Sequence, residues 1–239
     1  MSSSSFPGFL VVVEGLDGTG KTTLRKGLFR LIESLYGVTP LSILTTNWLD
    51  PDVAADLEEG KYRSGAANRD RYLAALRADK RASVEQLVLP TLPYRPVIAD
   101  RWLLSELAFF AVKHDTPAKE TYAALEGAID VTADLTLLLE NSPEAAMARA
   151  ASRSGDAVRA DWDVLDVQTR VHRTYDEVAV DPSAFPKLGP IVRIDAAQDR
   201  AGVLADAWSA LREHQLLPAL PLKQTASRSC ALSAKPSTT

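Results

Sequence analysis

The chain has 239 residues, with 27 basic and 31 acidic side chains, a formal net charge of −4, and 46% hydrophobic against 24% charged residues. That is enough for one sizeable α/β domain, and the acid excess excludes the basic surface that a DNA or RNA polymer would need. No apolar stretch approaches the roughly 20 residues that cross a bilayer, the start Met1-Ser2-Ser3-Ser4-Ser5-Phe6-Pro7 is not a secretory signal, and the single cysteine, Cys230, excludes an internal disulfide and fits a reducing cytoplasm.

Residues 1–8 are polar and aperiodic, which predicts disorder. Phe9-Leu10-Val11-Val12-Val13 has the β-branched bias of a buried parallel strand. Gly15-Leu16-Asp17-Gly18-Thr19-Gly20-Lys21-Thr22 then matches the phosphate-binding loop pattern G-x-x-x-x-G-K-[ST] in full. Leu24, Leu28, Leu31 and Ile32 follow at helical spacing, predicting a helix over 21–36. Strand, loop and helix are the context the pattern needs. Its glycines free the backbone so that N–H groups converge on phosphate oxygens, and the start of the helix adds positive potential. Gly15, Asp17, Gly18, Thr19, Gly20, Lys21, Thr22 and Thr23 are therefore candidates for holding ATP. Lys21 would reach the β- and γ-phosphates, and the Thr22 hydroxyl would ligate Mg²⁺.

Further along, strands are predicted at 42–45, 97–99, 135–139 and 191–194, and helices at 69–90, 103–113, 117–129, 143–152, 162–179 and 199–215. The alternation implies a five-stranded parallel sheet with helices on both faces. Ligands then bind at the carboxyl ends of the strands, where residues 15–22, Asn47 to Asp50 and Asp100-Arg101 all fall. From Pro218 to the end, proline, serine and threonine dominate, predicting a disordered tail over 218–239. The folded unit is thus expected over 9–217. His114, His172 and His214 have no metal-ligand spacing and read as structural or surface residues.

The ordered motifs resemble the thymidylate kinase family of P-loop nucleoside monophosphate kinases over roughly residues 9–215. Glu14 to Thr23 is similar to that family's version of the loop, Val97-Ile98-Ala99-Asp100-Arg101-Trp102 to its Asp-Arg-aromatic motif, with Ser105 and Ala108-Phe109 at matching offsets, and Ala133 to Leu139 with Ser142-Pro143-Glu144 to its fourth strand and next helix. The resemblance implies a three-layer α/β/α P-loop kinase fold with an arginine-bearing lid, here about 149–162. It implies that Asp100 holds Mg²⁺ through water and that Arg101 grips the acceptor phosphate or the transferring group. It implies that Asp17 positions an acceptor hydroxyl or a metal-bound water, and that Arg153 and Arg159 close over the donor. Lys80 stands where the family carries an arginine that clamps the monophosphate; Arg77 and Arg81, four residues apart, share one helix face with Lys80 beside them, and a solvated basic face is the alternative. Trp102 is expected either to shape the acceptor pocket or to sit in the core. Arg170 and Tyr175 match family positions with packing roles in view. Members are commonly dimers, so a homodimer is among the expectations.

Two departures bear on the acceptor. The family's Arg-Glu-Pro-Gly-Gly-Thr stretch after the second strand is replaced by Thr45-Thr46-Asn47-Trp48-Leu49-Asp50-Pro51, which makes Asn47, Trp48 and Asp50 candidate acceptor contacts beside Lys80, Arg101, Trp102, Ser105 and Asp17. The lid carries Ala160 in place of a bulky residue. The leading expectation is an ATP-dependent cytoplasmic phosphotransferase acting on a small phosphate acceptor, a nucleotide such as dTMP. The alternatives are a kinase for a hydroxyl acceptor with Asp50 or Asp17 as base, and a nucleotide-binding module without catalysis.

Overall fold

The computed structural model describes residues 6–44, 48–49, 51–58, 66–152, 162 and 164–219. Strand β1 (Leu10–Gly15) is buried throughout and leads through a tight loop into helix α1 (Lys21–Tyr36). Helix α1 buries Leu24, Leu28 and Ile32, the positions its period predicts, and stops at Gly37, whose left-handed backbone (φ 67°) lets its N–H close on the Glu33 carbonyl. Strand β2 (Leu41–Leu44), helix α2 (Pro51–Glu58) and helix α3 (Ala66–Ser83) follow.

The helix predicted over 69–90 starts earlier and does not run uniformly. It widens into a π-helical turn at Val84–Val88 before a last short α-helical turn, α4 (Leu89–Thr91). Pro90 explains the break: it has no N–H to give, and its ring would meet the carbonyl four residues back in an unbroken α-helix. Strand β3 (Val97–Asp100) leads to α5 (Leu103–Lys113) and α6 (Ala118–Leu125), which ends in a 3₁₀ turn at Glu126–Ala128. Strand β4 (Leu135–Glu140), α7 (Pro143–Ala151), α8 (Leu165–Val180), β5 (Ile191–Asp195) and α9 (Arg200–Glu213) complete the described chain.

The five strands form one all-parallel sheet in the order β2-β3-β1-β4-β5, as the alternation of elements requires. In β1, Leu10 and Val12 face one core, with Trp102, Leu104, Leu107, Phe110 and Tyr175. Val11 and Val13 face the other, with Leu24, Leu28, Ile32, Val203 and Leu211. The Leu10 N–H donates to the Asp134 carboxylate at 2.7 Å, fixing the start of β1 against the approach to β4. Register pairs Val13 with Asp100 and Gly15 with Leu139, so the ends of β1, β3 and β4 lie level around the loop after β1.

Phe6, inside the stretch expected to be disordered, is buried, and its ring meets Tyr36 edge-on at 4.9 Å. The Tyr36 hydroxyl donates to the Pro218 carbonyl at 3.0 Å, so both ends of the described chain rest on one side chain. Among the described residues no helix is long and apolar enough to cross a membrane.

Leu28 is fully buried between α1 and α9. Leu28→Ala is expected to cost about 2–5 kcal/mol through lost burial and the cavity left behind, read by urea denaturation as a lower midpoint with an unchanged slope. A cost under about 1 kcal/mol would contradict this packing.

Candidate active site

The loop after β1 is built by backbone conformations that only glycine adopts freely. Gly20 caps α1 at φ 97°. Gly18 sits at φ 92°, and a Cβ there would lie 1.9 Å from the Ala146 carbonyl oxygen of α7, so the loop and α7 touch backbone to backbone. Inside the loop, the Thr19 hydroxyl donates to the Leu16 carbonyl at 2.9 Å. The Lys21 ammonium donates to the same carbonyl at 2.7 Å. Thr23 is exposed in the first turn of α1, its N–H bonded to the Gly20 carbonyl at 2.9 Å.

Lys21 is buried, and its Nζ lies 3.6 Å from Asp17 Oδ1. Burial, helped by nearby Arg101, lowers its pKa to about 7 against the pull of Asp17, Asp100 and Glu14. The same Asp17 oxygen pairs with Arg101 Nη2. Arg101 also donates from Nη1 to Ser105 Oγ at 2.9 Å, to the Gly15 carbonyl at 3.3 Å and to the Tyr175 hydroxyl at 3.4 Å. Burial opposes its charge, but Tyr175, Asp17 and Glu14 outweigh burial and hold the guanidinium above its ordinary pKa. Burial pushes the Tyr175 hydroxyl up to about 12, so it stays protonated.

Arg101 has a left-handed backbone, φ 68°, unusual for a side chain of its size. Glu14, the last residue but one of β1, explains it. Its fully buried carboxylate accepts from the Trp102 N–H at 2.7 Å and from the Ser105 N–H at 3.2 Å through Oε1, and from Ser105 Oγ through Oε2. Trp102 is the N-cap of α5 and has no cap of its own; Glu14 supplies one from the neighbouring strand. The chain must reverse sharply between β3 and that cap, and Arg101 absorbs the turn. Burial raises the Glu14 pKa.

The two side chains expected to hold metal also come together. Thr22 Oγ1 donates to Asp100 Oδ2 at 3.2 Å, and the Thr22 lone pairs stay open. Among the described residues no three His, Cys, Asp or Glu gather as a metal cage. A hydroxyl and one carboxylate suit Mg²⁺, which keeps several waters and takes its other ligands from phosphate oxygens.

The acceptor side differs from expectation. Arg77 and Arg81 are exposed, but Lys80 turns inward and is fully buried, its Nζ 2.8 Å from Glu106 Oε1 and 5.1 Å above the Trp102 ring. The three cations therefore do not share a solvated face. Trp102 is fully buried, so of its two expected places it takes the core. Asp79, beside Lys80, accepts the Leu49 N–H at 2.7 Å and ties α3 to the segment after β2. Trp48 packs on Tyr72 at 6.0 Å, Tyr72 on Phe109 at 5.1 Å, and Phe109 on Trp162 at 5.7 Å. Arg149, at the root of the expected lid, donates to the Ala196 carbonyl at 2.6 Å. Asn47, Asp50, Arg153 and Arg159 lie outside the described residues.

Two charged residues of the candidate site carry no assigned role in the sequence pattern. For Glu14 the signal is a charged residue near the end of an otherwise apolar strand. Arg25 lies 3.3 Å from Asp100 Oδ2, and only its position three residues after Thr22, on the same helix face, hinted at this.

The family profile for thymidylate kinase matches residues 13–186. A probable thymidylate kinase of Methanocorpusculum labreanum is 32% identical over 205 residues, 82% of this chain and 93% of that protein. The thymidylate kinase of Legionella pneumophila strain Corby is 31% identical over 72% of this chain and 82% of its own length, and that of Xanthomonas campestris pv. campestris strain B100 is 34% identical over 63% of each.

A phosphate in the loop needs Lys21 charged, and in the free protein that group titrates at about 7. Below pH 7 the proton is already present; above it, binding must take one up. Pyrophosphate affinity is therefore expected to fall by up to about tenfold per unit of pH between pH 7.5 and 9, with uptake of as much as one proton. Calorimetry in buffers of different ionisation heat reads both quantities, and a flat affinity without proton uptake would contradict the burial-lowered ammonium.

Proposed function

The chain belongs to the thymidylate kinase family, an enzyme family of P-loop phosphotransferases, and on that footing we propose that it transfers the γ-phosphoryl group of MgATP to a nucleoside monophosphate, dTMP or a close relative. One observation carries the reading: a single oxygen of Asp17 joins Lys21 from the phosphate loop to Arg101 from the end of β3. Two cations from separate elements are held ready on either side of one carboxylate. Anionic donor and acceptor groups can enter from opposite sides, each drawing one cation, and Asp17 keeps the pair from dispersing while neither is present.

Most of the work in phosphoryl transfer is positioning and charge neutralisation. In this reading Lys21 and the loop N–H groups hold the donor's β- and γ-oxygens. Thr22 and Asp100 would hold magnesium, whose charge would add to that of Lys21 on those oxygens. Arg101 grips the acceptor phosphate, its plane fixed by Ser105, Gly15 and Tyr175. A planar guanidinium with its orientation already set loses little entropy when it takes up two phosphate oxygens. Lys80 supports the acceptor side through Glu106 and the Trp102 ring, and the aromatic run Trp48, Tyr72, Phe109 supplies flat apolar surface for a base. An acceptor phosphate is already ionised at neutral pH, so no general base is required. Asp17, committed to two cations, is poorly placed to be one.

The test is ADP release with a panel of nucleosides and their monophosphates. Turnover is expected with at least one monophosphate and with no unphosphorylated nucleoside. Lys21→Ala is expected to lower kcat by about 10²–10³-fold or more while the circular dichroism spectrum stays unchanged. Turnover of nucleosides in place of monophosphates would overturn the assignment.

A further inference from the structure

We propose that Arg25 is the positioning residue of the metal-holding carboxylate. The proposal rests on the kinase reading above and assigns a role to a side chain that no motif covers. Arg25 Nε lies 3.3 Å from Asp100 Oδ2, the oxygen that also accepts from Thr22, while Nη1 donates to Ser42 Oγ on β2. The Arg25 and Asp100 side chains are only 13% and 7% exposed, so water screens their attraction weakly. One planar guanidinium thus ties α1, β2 and the last residue of β3.

The geometry divides the labour of Asp100 between its two oxygens. Oδ2 is committed to Thr22 and Arg25, and no described residue donates to Oδ1. A hydrogen bond from Thr22 and an ion pair with Arg25 meet on one oxygen and fix the carboxylate plane, and that plane decides where Oδ1 points. Thr22 alone cannot do this, since a hydroxyl on an exposed residue can turn. Without Arg25 the carboxylate would be a nearly buried charge held by one neutral donor, free to rotate towards Lys21. Groups that orient a metal-holding carboxylate are commonly worth about 10–100-fold in metal affinity.

The test separates metal from nucleotide. Mn²⁺ uptake by the ADP complex is followed by electron paramagnetic resonance of free Mn²⁺, and metal-free ADP binding by calorimetry. Arg25→Gln is expected to weaken Mn²⁺ uptake about 10–100-fold with metal-free ADP affinity within about twofold of wild type. Unchanged or tighter Mn²⁺ uptake would overturn the proposal, tighter uptake being the sign of simple repulsion between Arg25 and the cation. An equal loss of metal-free ADP binding would overturn it too, as the mark of a general structural defect. Ser42→Ala removes only the far anchor of Arg25 and is expected to shift Mn²⁺ uptake in the same direction by a smaller factor. If Arg25→Gln does not fold, that variant decides, and unchanged Mn²⁺ uptake there overturns the proposal. A wild-type protein that binds no ADP at all overturns the kinase reading instead.

Discussion

The site depends on a carboxylate that never meets solvent. Glu14, next to the last residue of β1, is fully buried and commits both oxygens to the first turn of α5. Burying a charged carboxylate is costly, and burial does raise its pKa. Three donors and the positive end of α5 offset that cost, since hydrogen bonds to a charged group contribute about 1.5–3 kcal/mol each. The left-handed backbone at Arg101 costs about 1–2 kcal/mol, which is less than the grip supplies. The strain therefore persists, and Arg101 is aimed back across the loop rather than out along the strand.

From that point outward the site is a chain of alternating charges. Arg101 meets Asp17, Asp17 meets Lys21, and on the other side of the loop Asp100 meets Thr22 and Arg25. No member is left as an isolated buried charge, which would cost several kcal/mol. The balance is nonetheless poised, because Lys21 has been drawn down to about 7. A cation held near its titration point by burial is one that an anion can bring fully back to the charged form.

The phosphate loop was legible because its information is local: glycines, lysine and threonine at fixed spacing between an apolar strand and an amphipathic helix. The strands were legible for a similar reason, since runs such as Leu135 to Leu139 need no partner to be recognised. Lys80 was not legible. Its neighbours Arg77 and Arg81 are exposed, and only the tertiary meeting of α3 side chains with α5 decides that the residue between them turns inward to Glu106. Arg25 was hidden for another reason, because its partner lies on a strand 75 residues away, and helix periodicity says which face a residue occupies but not what that face meets. Helix α2 is not among the expected elements, although Pro51 and Asp52 form an ordinary helix start, because its eight residues are too few to show a clear helical period. The widened turn at Val84–Val88 could have been read from Pro90, whose missing donor requires some such accommodation.

Tyr36 has a consequence of a different kind. Its ring packs against Phe6 and its hydroxyl donates to the Pro218 carbonyl, so the two ends of the described chain sit side by side on α1. Fusion partners attached directly at Phe6 and at Pro218 would crowd the same spot. A short flexible linker could instead join the ends into a ring, and the polypeptide could then be cut open elsewhere at an exposed surface bend. The order in which the strands are synthesised would change, while the architecture need not.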